Sequence, residues 1–372
     1  MDFDFSPDQN ALREAVRDSL AGIFPPDVRQ QMVASGATMP PELWRQIAEL
    51  GWPGLLVPEE YGGLGLGLVD MTVVLEEMGK LPLPGPFFSS AVFATLAAVR
   101  LGATELLPGL VDGSRIGAVA LDEAGAAGDP LVGVRTVATD SDGGARLDGL
   151  KPVVADGQVA DWVIVVARES GGGLGSYLVE SPPATAVPNM DPTRALARLP
   201  LDGTPAVRLG PAGDQTELLR RVVDDATVML CAELVGAAEA AFDLAVEYSK
   251  QRVQFGRPIG SFQAVKHIAA DMLRDLTLAR VGSHYAAWAS DSDAPDRESA
   301  AAMAKSWVAE AAIAVTGSCI QVHGGVGFTW DCPAHLYYKR AKATDLVLGR
   351  QGYQRARVAD LVLGPPPAVA AG

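Results

Sequence analysis

The order of hydrophobic periodicities constrains this chain more than any other feature: a helical repeat, then a β alternation, then a longer helical repeat. At the start, Ser6 and Pro7 supply an N-cap and a first helical residue, Gln9 completes the cap, and Leu12, Val16 and Leu20 share one face. Helical spacings recur over residues 41–50, 69–79 and 90–101, around the turn Gly62-Gly63-Leu64-Gly65. From Ile116 the pattern shortens to β-type runs at 116–121, 132–138, 145–154, 162–167, 176–179 and 206–209. Ser141-Asp142-Gly143-Gly144 and Gly171-Gly172-Gly173 punctuate them. Helical spacing returns after Thr216, with Leu230, Leu234, Ala237, Ala241, Leu244 and Tyr248 on one face and Ile268, Met272, Leu276 and Ala279 on the next. Further helices are expected over 297–322, 333–348 and 353–362, and Gly364-Pro365-Pro366-Pro367 opens a loose tail. The reading is an α+β chain: a helical domain over 1–115, a β domain over 116–213, a helical bundle over 214–362 and a flexible tail over 363–372.

A chain of 372 residues, 48% of them hydrophobic, buries a core without covalent staples. Its three cysteines, Cys231, Cys319 and Cys332, form no CxxC pair and suit a reducing compartment. A net charge of −15 with no basic stripe argues against a nucleic-acid surface, since phosphate binding draws on clustered Lys and Arg. The acidic start MDFDFSPDQN is not a signal peptide, and no run of eighteen apolar residues occurs, so the expectation is a cytoplasmic protein without a membrane partner. His267, His284, His323 and His335 show no metal-ligand spacing.

Neither Gly62-Gly63-Leu64-Gly65-Leu66-Gly67 nor Gly324-Gly325-Val326-Gly327 follows a strand, so a Rossmann fingerprint is absent and a Walker lysine is missing. Three stretches nonetheless occur in a telling order. They are residues 43–52 leading to Val57-Pro58-Glu59-Glu60-Tyr61-Gly62-Gly63, then Arg252-Val253-Gln254-Phe255-Gly256-Arg257-Pro258-Ile259-Gly260-Ser261-Phe262-Gln263, then Gln321-Val322-His323-Gly324-Gly325-Val326-Gly327-Phe328. Together they resemble the acyl-CoA dehydrogenase family, in frame from Phe5 to Val362. The resemblance implies an N-terminal helical domain, a middle β-barrel-like domain and a C-terminal four-helix bundle. It also implies an FAD enzyme that desaturates an acyl-CoA thioester between its α and β carbons. A carboxylate takes the α proton, the β hydrogen leaves as hydride to the flavin, and hydrogen bonds stabilise the enolate. In the family each FAD lies between two subunits.

By this resemblance Arg252, Phe255 and Gln263 match positions that reach a neighbour's FAD, the arginine suiting a pyrophosphate, while Gln321, Gly324 and Gly325 match a second neighbour-directed element. The half of the site that a subunit builds for its own flavin departs from the pattern. Val153 and Ala155 stand where the family has a flavin-stacking Trp and a hydrogen-bonding Thr. Asp122 replaces a flavin-contacting Thr, setting an acid against the charge of reduced flavin, and Gly128 replaces a Ser. Leu348 occupies the position of the base, Arg350 a slot for a small residue where its bulk would obstruct the flavin, and Ala226 the alternative base position. Asp224 and Asp225 read as solvated acids near a helix start.

The expectation is therefore one subunit of a heteromeric enzyme, similar to the heterotetrameric acyl-CoA dehydrogenases of actinobacteria, with no catalytic residue of its own. Its expected partners are a second acyl-CoA dehydrogenase subunit retaining the base, a bulky acyl-CoA such as a steroid side-chain thioester, and an electron-transferring flavoprotein. The alternatives are a self-sufficient homotetramer with a displaced base, and a non-enzymatic acyl-CoA-binding or scaffold subunit.

Overall fold

Among the described residues, eleven α-helices and a barrel-like sheet follow the three-part periodicity. The computed structural model describes residues 5–36, 38–123, 128–141 and 144–364. The first part comprises α1 (Pro7–Ile23), α2 (Pro26–Ala34), α3 (Pro41–Glu49), α4 (Leu68–Gly79), α5 (Thr95–Leu101) and α6 (Leu107–Val111). The capping box read from Ser6 and Gln9 forms. The start of α4 is set from far along the chain: the Asp291 carboxylate accepts from the Leu68 and Val69 amides at 2.8 and 2.9 Å. The sequence reading does not include helices α2 and α6, and the segment expected as one helix from Ser90 is π-helical over Phe87–Ala94 before α5.

The middle part holds β1 (Gly117–Ala120), β2 (Val137–Ser141), β3 (Gly144–Ala155), β4 (Trp162–Arg168), β5 (Leu174–Glu180), β6 (Thr185–Val187) and β7 (Leu196–Leu209). Strand β4 pairs with β5, β5 with β7, β7 with β3, β3 with β2, and β2 returns to β4 through Val137 and Arg168, which closes the barrel. The expected strand over 132–138 exists only from Val137. Upstream, the Val132 and Val134 carbonyls accept from the Arg168 guanidinium, and the Arg135 and Thr136 amides donate to Glu123, so side chains take the bonds a ladder would need. Strand β7 begins ten residues earlier than 206. Pro200 and Pro205 argue against a strand interior, but between its β6 and β5 pairings β7 has only β3 as neighbour, so each proline is tolerated.

The last part is α7 (Thr216–Gln251), a short hairpin β8 (Val253–Gln254) and β9 (Arg257–Pro258), then α8 (Gln263–Asp291), α9 (Arg297–His323), α10 (Ala334–Asp345) and α11 (Gln351–Leu363). Helices α7, α8 and α9 pack on one another, and α10 and α11 close against α9. The stretch Arg297–Phe328 is long and apolar enough to cross a membrane by length and composition. Here α9 is the central helix of the bundle, with Val308, Ala309, Val315 and Cys319 buried. Helix α7 also crosses α4 at backbone distance: a Cβ on Gly236 would lie 1.9 Å from the Glu76 carbonyl oxygen, so only glycine admits this crossing.

One buried cluster fastens all three parts. Arg340 of α10 donates to Asp191 at 2.8 Å and to the Thr193 carbonyl at 2.8 Å, both in the turn before β7, and to the Leu83 carbonyl at 3.1 Å after α4. It also pairs with Glu233 of α7, which Arg194 grips from the other side.

Candidate functional site

The six residues matched to a neighbour's FAD lie on two adjoining ends of the bundle. Arg252 follows the last residue of α7, Phe255 tips the β8–β9 hairpin, and Gln263 opens α8. Gln321 is in the last turn of α9, and Gly324 and Gly325 begin the turn after it. All six are exposed. Phe255 is 92% exposed and held at φ +53°, a left-handed backbone that costs energy in a non-glycine residue and projects the ring into solvent. Arg252 is exposed and takes part in none of the ion pairs among the described residues. A signal missed in the sequence adds to this. Lys250, Arg252, Arg257 and Lys266 fall within residues 250–267, which contain no Asp or Glu, in a chain of net charge −15. That edge is suited to a phosphate-bearing partner group.

The other half of the site is brought together in the fold and is narrow. Val153 and Ala155 of β3, Asp122, Leu348, Phe88, Ser89 and Leu230 line one cavity of about 60 Å³. That is well below the roughly 300–1,000 Å³ of sites that hold drug-sized ligands. Leu348 is 2% exposed at φ +55° and presents no proton acceptor. Ala226 is fully buried within α7. Asp122 is the one carboxylate on the cavity wall, and burial pushes it up to about 6 against the pull of Lys151 and Lys305. Its neighbour Glu123 pairs with buried Lys151 at 2.5 Å. Burial alone would raise Glu123, but the lysine's charge and hydrogen bond prevail and its net shift is downward.

Three readings need correction. Arg350 is exposed and does not line the cavity; its chain turns outward as the N-cap of α11. Asp224 and Asp225 are not solvated acids, because α7 starts eight residues before Asp224 and carries both into the core at 2% and 0% exposure. Asp224 pairs with Arg357, and Asp225 with Arg100 at 2.6 Å and Arg221 at 3.2 Å, so neither is free to act as a base.

Gly128 is explained by packing. Tyr353 is wedged between two glycines: a Cβ at Gly128 or at Gly349 would come within 2.6 Å of it. Arg220 bonds the Tyr353 hydroxyl at 3.1 Å and Asp129 at 2.7 Å, tying this wedge to α7. The loops that the resemblance assigns to a flavin cradle are thus drawn onto a tyrosine ring. Residues 124–127 of that pattern lie outside the described residues.

Beside this cavity, Asp156 directly follows β3 at φ +53° and 6% exposure and accepts from Ser89 at 2.7 Å. Burial pushes its carboxyl from the usual 3.8 up to about 6, only partly offset by Ser89 and by the charges of Arg194 and Arg340. A raised acid favours the fold while protonated and loses that contribution as pH climbs through 6. Asp156→Asn is therefore expected to stabilise the chain by up to about 3 kcal/mol at about pH 8 and by nothing below pH ~4, checked by urea unfolding across that range.

The fold joins a helical domain, a β-barrel and a helical bundle, with an exposed edge at Arg252 and Gln321 and a narrow inner cavity at Val153 and Leu348. Comparison with known proteins fits this architecture. Residues 6–110 match the acyl-CoA dehydrogenase N-terminal domain and residues 218–363 the acyl-CoA dehydrogenase C-terminal domain. The chain is 34% identical over 345 residues to "Acyl-CoA dehydrogenase IpdE2" of Mycolicibacterium smegmatis, covering 92% of this chain and 95% of that protein. Among solved structures, the ChsE4-ChsE5 complex from Mycobacterium tuberculosis matches with TM-score 0.88 and 30% identity over 99% of this chain and 100% of that one. A variant of the Tcur3481-Tcur3483 steroid ACAD matches with TM-score 0.85 and 32% identity over 96% and 98%. The chain belongs to the acyl-CoA dehydrogenase family, whose members are FAD-dependent oxidoreductases acting on CH–CH bonds.

Proposed function

We propose that this chain is the non-catalytic subunit of a heteromeric acyl-CoA dehydrogenase and completes, in trans, the flavin site of a partner subunit that holds the base. One contrast carries the reading: Val153, Ala155, Asp122 and Leu348 surround only about 60 Å³, with no stacking ring at Val153 and no proton acceptor at Leu348, while Arg252, Phe255, Gln263, Gln321, Gly324 and Gly325 stand exposed. The two paired relatives, ChsE4-ChsE5 and Tcur3481-Tcur3483, support a two-chain assembly, and the second supports a steroid thioester as substrate.

In this assembly FAD supplies acceptance of the β hydrogen as hydride when bound. This chain's residues bind and orient. The Arg252 guanidinium offers paired N–H donors to a pyrophosphate, the Phe255 face covers an aromatic portion of the dinucleotide, and the bare Gly324-Gly325 backbone lets amides approach phosphate oxygens. The α proton is taken by the partner, because Leu348, Ala226 and the ion-paired Asp224 and Asp225 accept none. Arg252→Ala in the co-purified complex is expected to weaken FAD retention about tenfold or more, read from flavin released on dilution. Unchanged retention would count against the trans role.

One observation favours a second reading, a self-sufficient homotetramer. Asp122 faces the cavity with its carboxyl near 6, inside the range of a general base. The cavity volume and the missing stacking ring weigh against it.

A further inference from the structure

The two nucleotide-facing elements come from the ends of different helices, and one aromatic contact joins them. Tyr248 lies on the last turn of α7, and its carbonyl accepts the Arg252 amide at 2.8 Å. His323 is the last residue of α9, directly before Gly324. Their rings stack with centroids 4.2 Å apart and 25° between planes. The histidine ring is oriented from behind. Its Nδ1 lies 2.8 Å from the Cys319 carbonyl, which can only accept, so Nδ1 carries a proton and donates it. His323 is 6% exposed and Cys319 fully buried, so the ring is anchored in the bundle core. On the α7 side the hairpin is tied back by the Ile259 amide, which donates to the Arg252 carbonyl at 2.8 Å.

We propose that Tyr248 and His323 form a positioning pair that fixes the spacing between the Arg252 hairpin and the Gln321–Gly325 turn, so that both engage one dinucleotide together. The inference rests on the trans reading above and deepens it. Two exposed anchors act as a single site only when their separation is set beforehand; otherwise the ligand must order them as it binds, and affinity falls. Neither ring touches the cofactor in this account. Their role is to remove that ordering cost.

The test uses the complex co-purified with its flavin-bearing partner, and reads the FAD dissociation rate by the fluorescence of released flavin. Tyr248→Leu and His323→Gln are each expected to speed dissociation about three- to tenfold, the range set by losing an aromatic pair. Tyr248→Phe keeps the ring face and should restore the wild-type rate, which a general packing defect at this position would not single out. In the Tyr248→Leu background, Arg252→Ala should cost less than in wild type, because the anchors are already uncoupled. His323→Gln keeps a side chain able to donate to the Cys319 carbonyl, so it serves if Tyr248→Leu fails to fold. The proposal is overturned if both stacking variants hold FAD as wild type does while Arg252→Ala releases it, or if Tyr248→Phe is as fast as Tyr248→Leu. If Arg252→Ala also leaves the rate unchanged, the trans reading itself fails.

Discussion

Replacing Arg340 by Met is expected to destabilise the chain by about 3–5 kcal/mol, the range seen when one partner is removed from a buried ion pair. The guanidinium is 2% exposed and serves Asp191, Glu233, Thr193 and Leu83 at once. Its loss would leave Asp191, fully buried, and Glu233, 7% exposed, without their principal cation. Arg194 still reaches Glu233, so the damage should concentrate on Asp191 and on the turn before β7. Arg340→Lys should also cost stability, since one ammonium cannot reproduce the planar fork that spans an acid on each side and two carbonyls. Denaturant midpoints of both variants check this; a change below about 1 kcal/mol for Arg340→Met would show that the cluster is not what fastens the three parts. The consequence reaches function. Arg194, which pairs with Glu233 in this cluster, also lines the cavity beside Val153 and Leu348.

The elements with strong periodicity were legible in the sequence: α1, α4 and the four long stretches of the bundle follow from apolar spacing, and the barrel from short runs between turns. Where local pattern and long-range bonding compete, the sequence misleads. Residues 132–136 read as a strand, yet Arg168 and Glu123 capture their backbone groups; the strand read from 206 begins at Leu196 and carries Pro200 and Pro205 where β3 is its one neighbour. Short α2 buries only Met32 and carries too little amphipathic signal to be seen.

The site divides in the same way. The placement of Arg252, Phe255, Gln263 and the Gln321–Gly325 turn follows from compact motifs at the ends of long helices, and all are exposed there. The losses at Val153, Ala155 and Leu348 were legible as residue types. How the cradle draws in was not, since it depends on Tyr353 meeting Gly128 and on Arg220 meeting Asp129, contacts across most of the chain. Asp224 and Asp225 looked solvated because nothing local announces Arg357 or Arg100 as their partners. The Tyr248–His323 stack was hidden for the same reason.

The two-chain account makes its boldest statement about cofactor content. Expressed alone, this chain should purify colourless: its inner cavity of about 60 Å³ is small beside the roughly 300–1,000 Å³ of ligand sites, Val153 offers no stacking ring, and a second copy would bring only another such cavity. Expressed with an acyl-CoA dehydrogenase subunit that retains a stacking Trp and a base, it should yield a flavin complex that reduces an electron acceptor on addition of an acyl-CoA. The decisive measurement is the molar ratio of FAD to polypeptide in that purified complex, from flavin absorbance after denaturation and quantitative amino-acid analysis. One FAD for each pair of unlike chains is the predicted value. One FAD on every chain, or a yellow and active preparation of this chain by itself, would contradict the account.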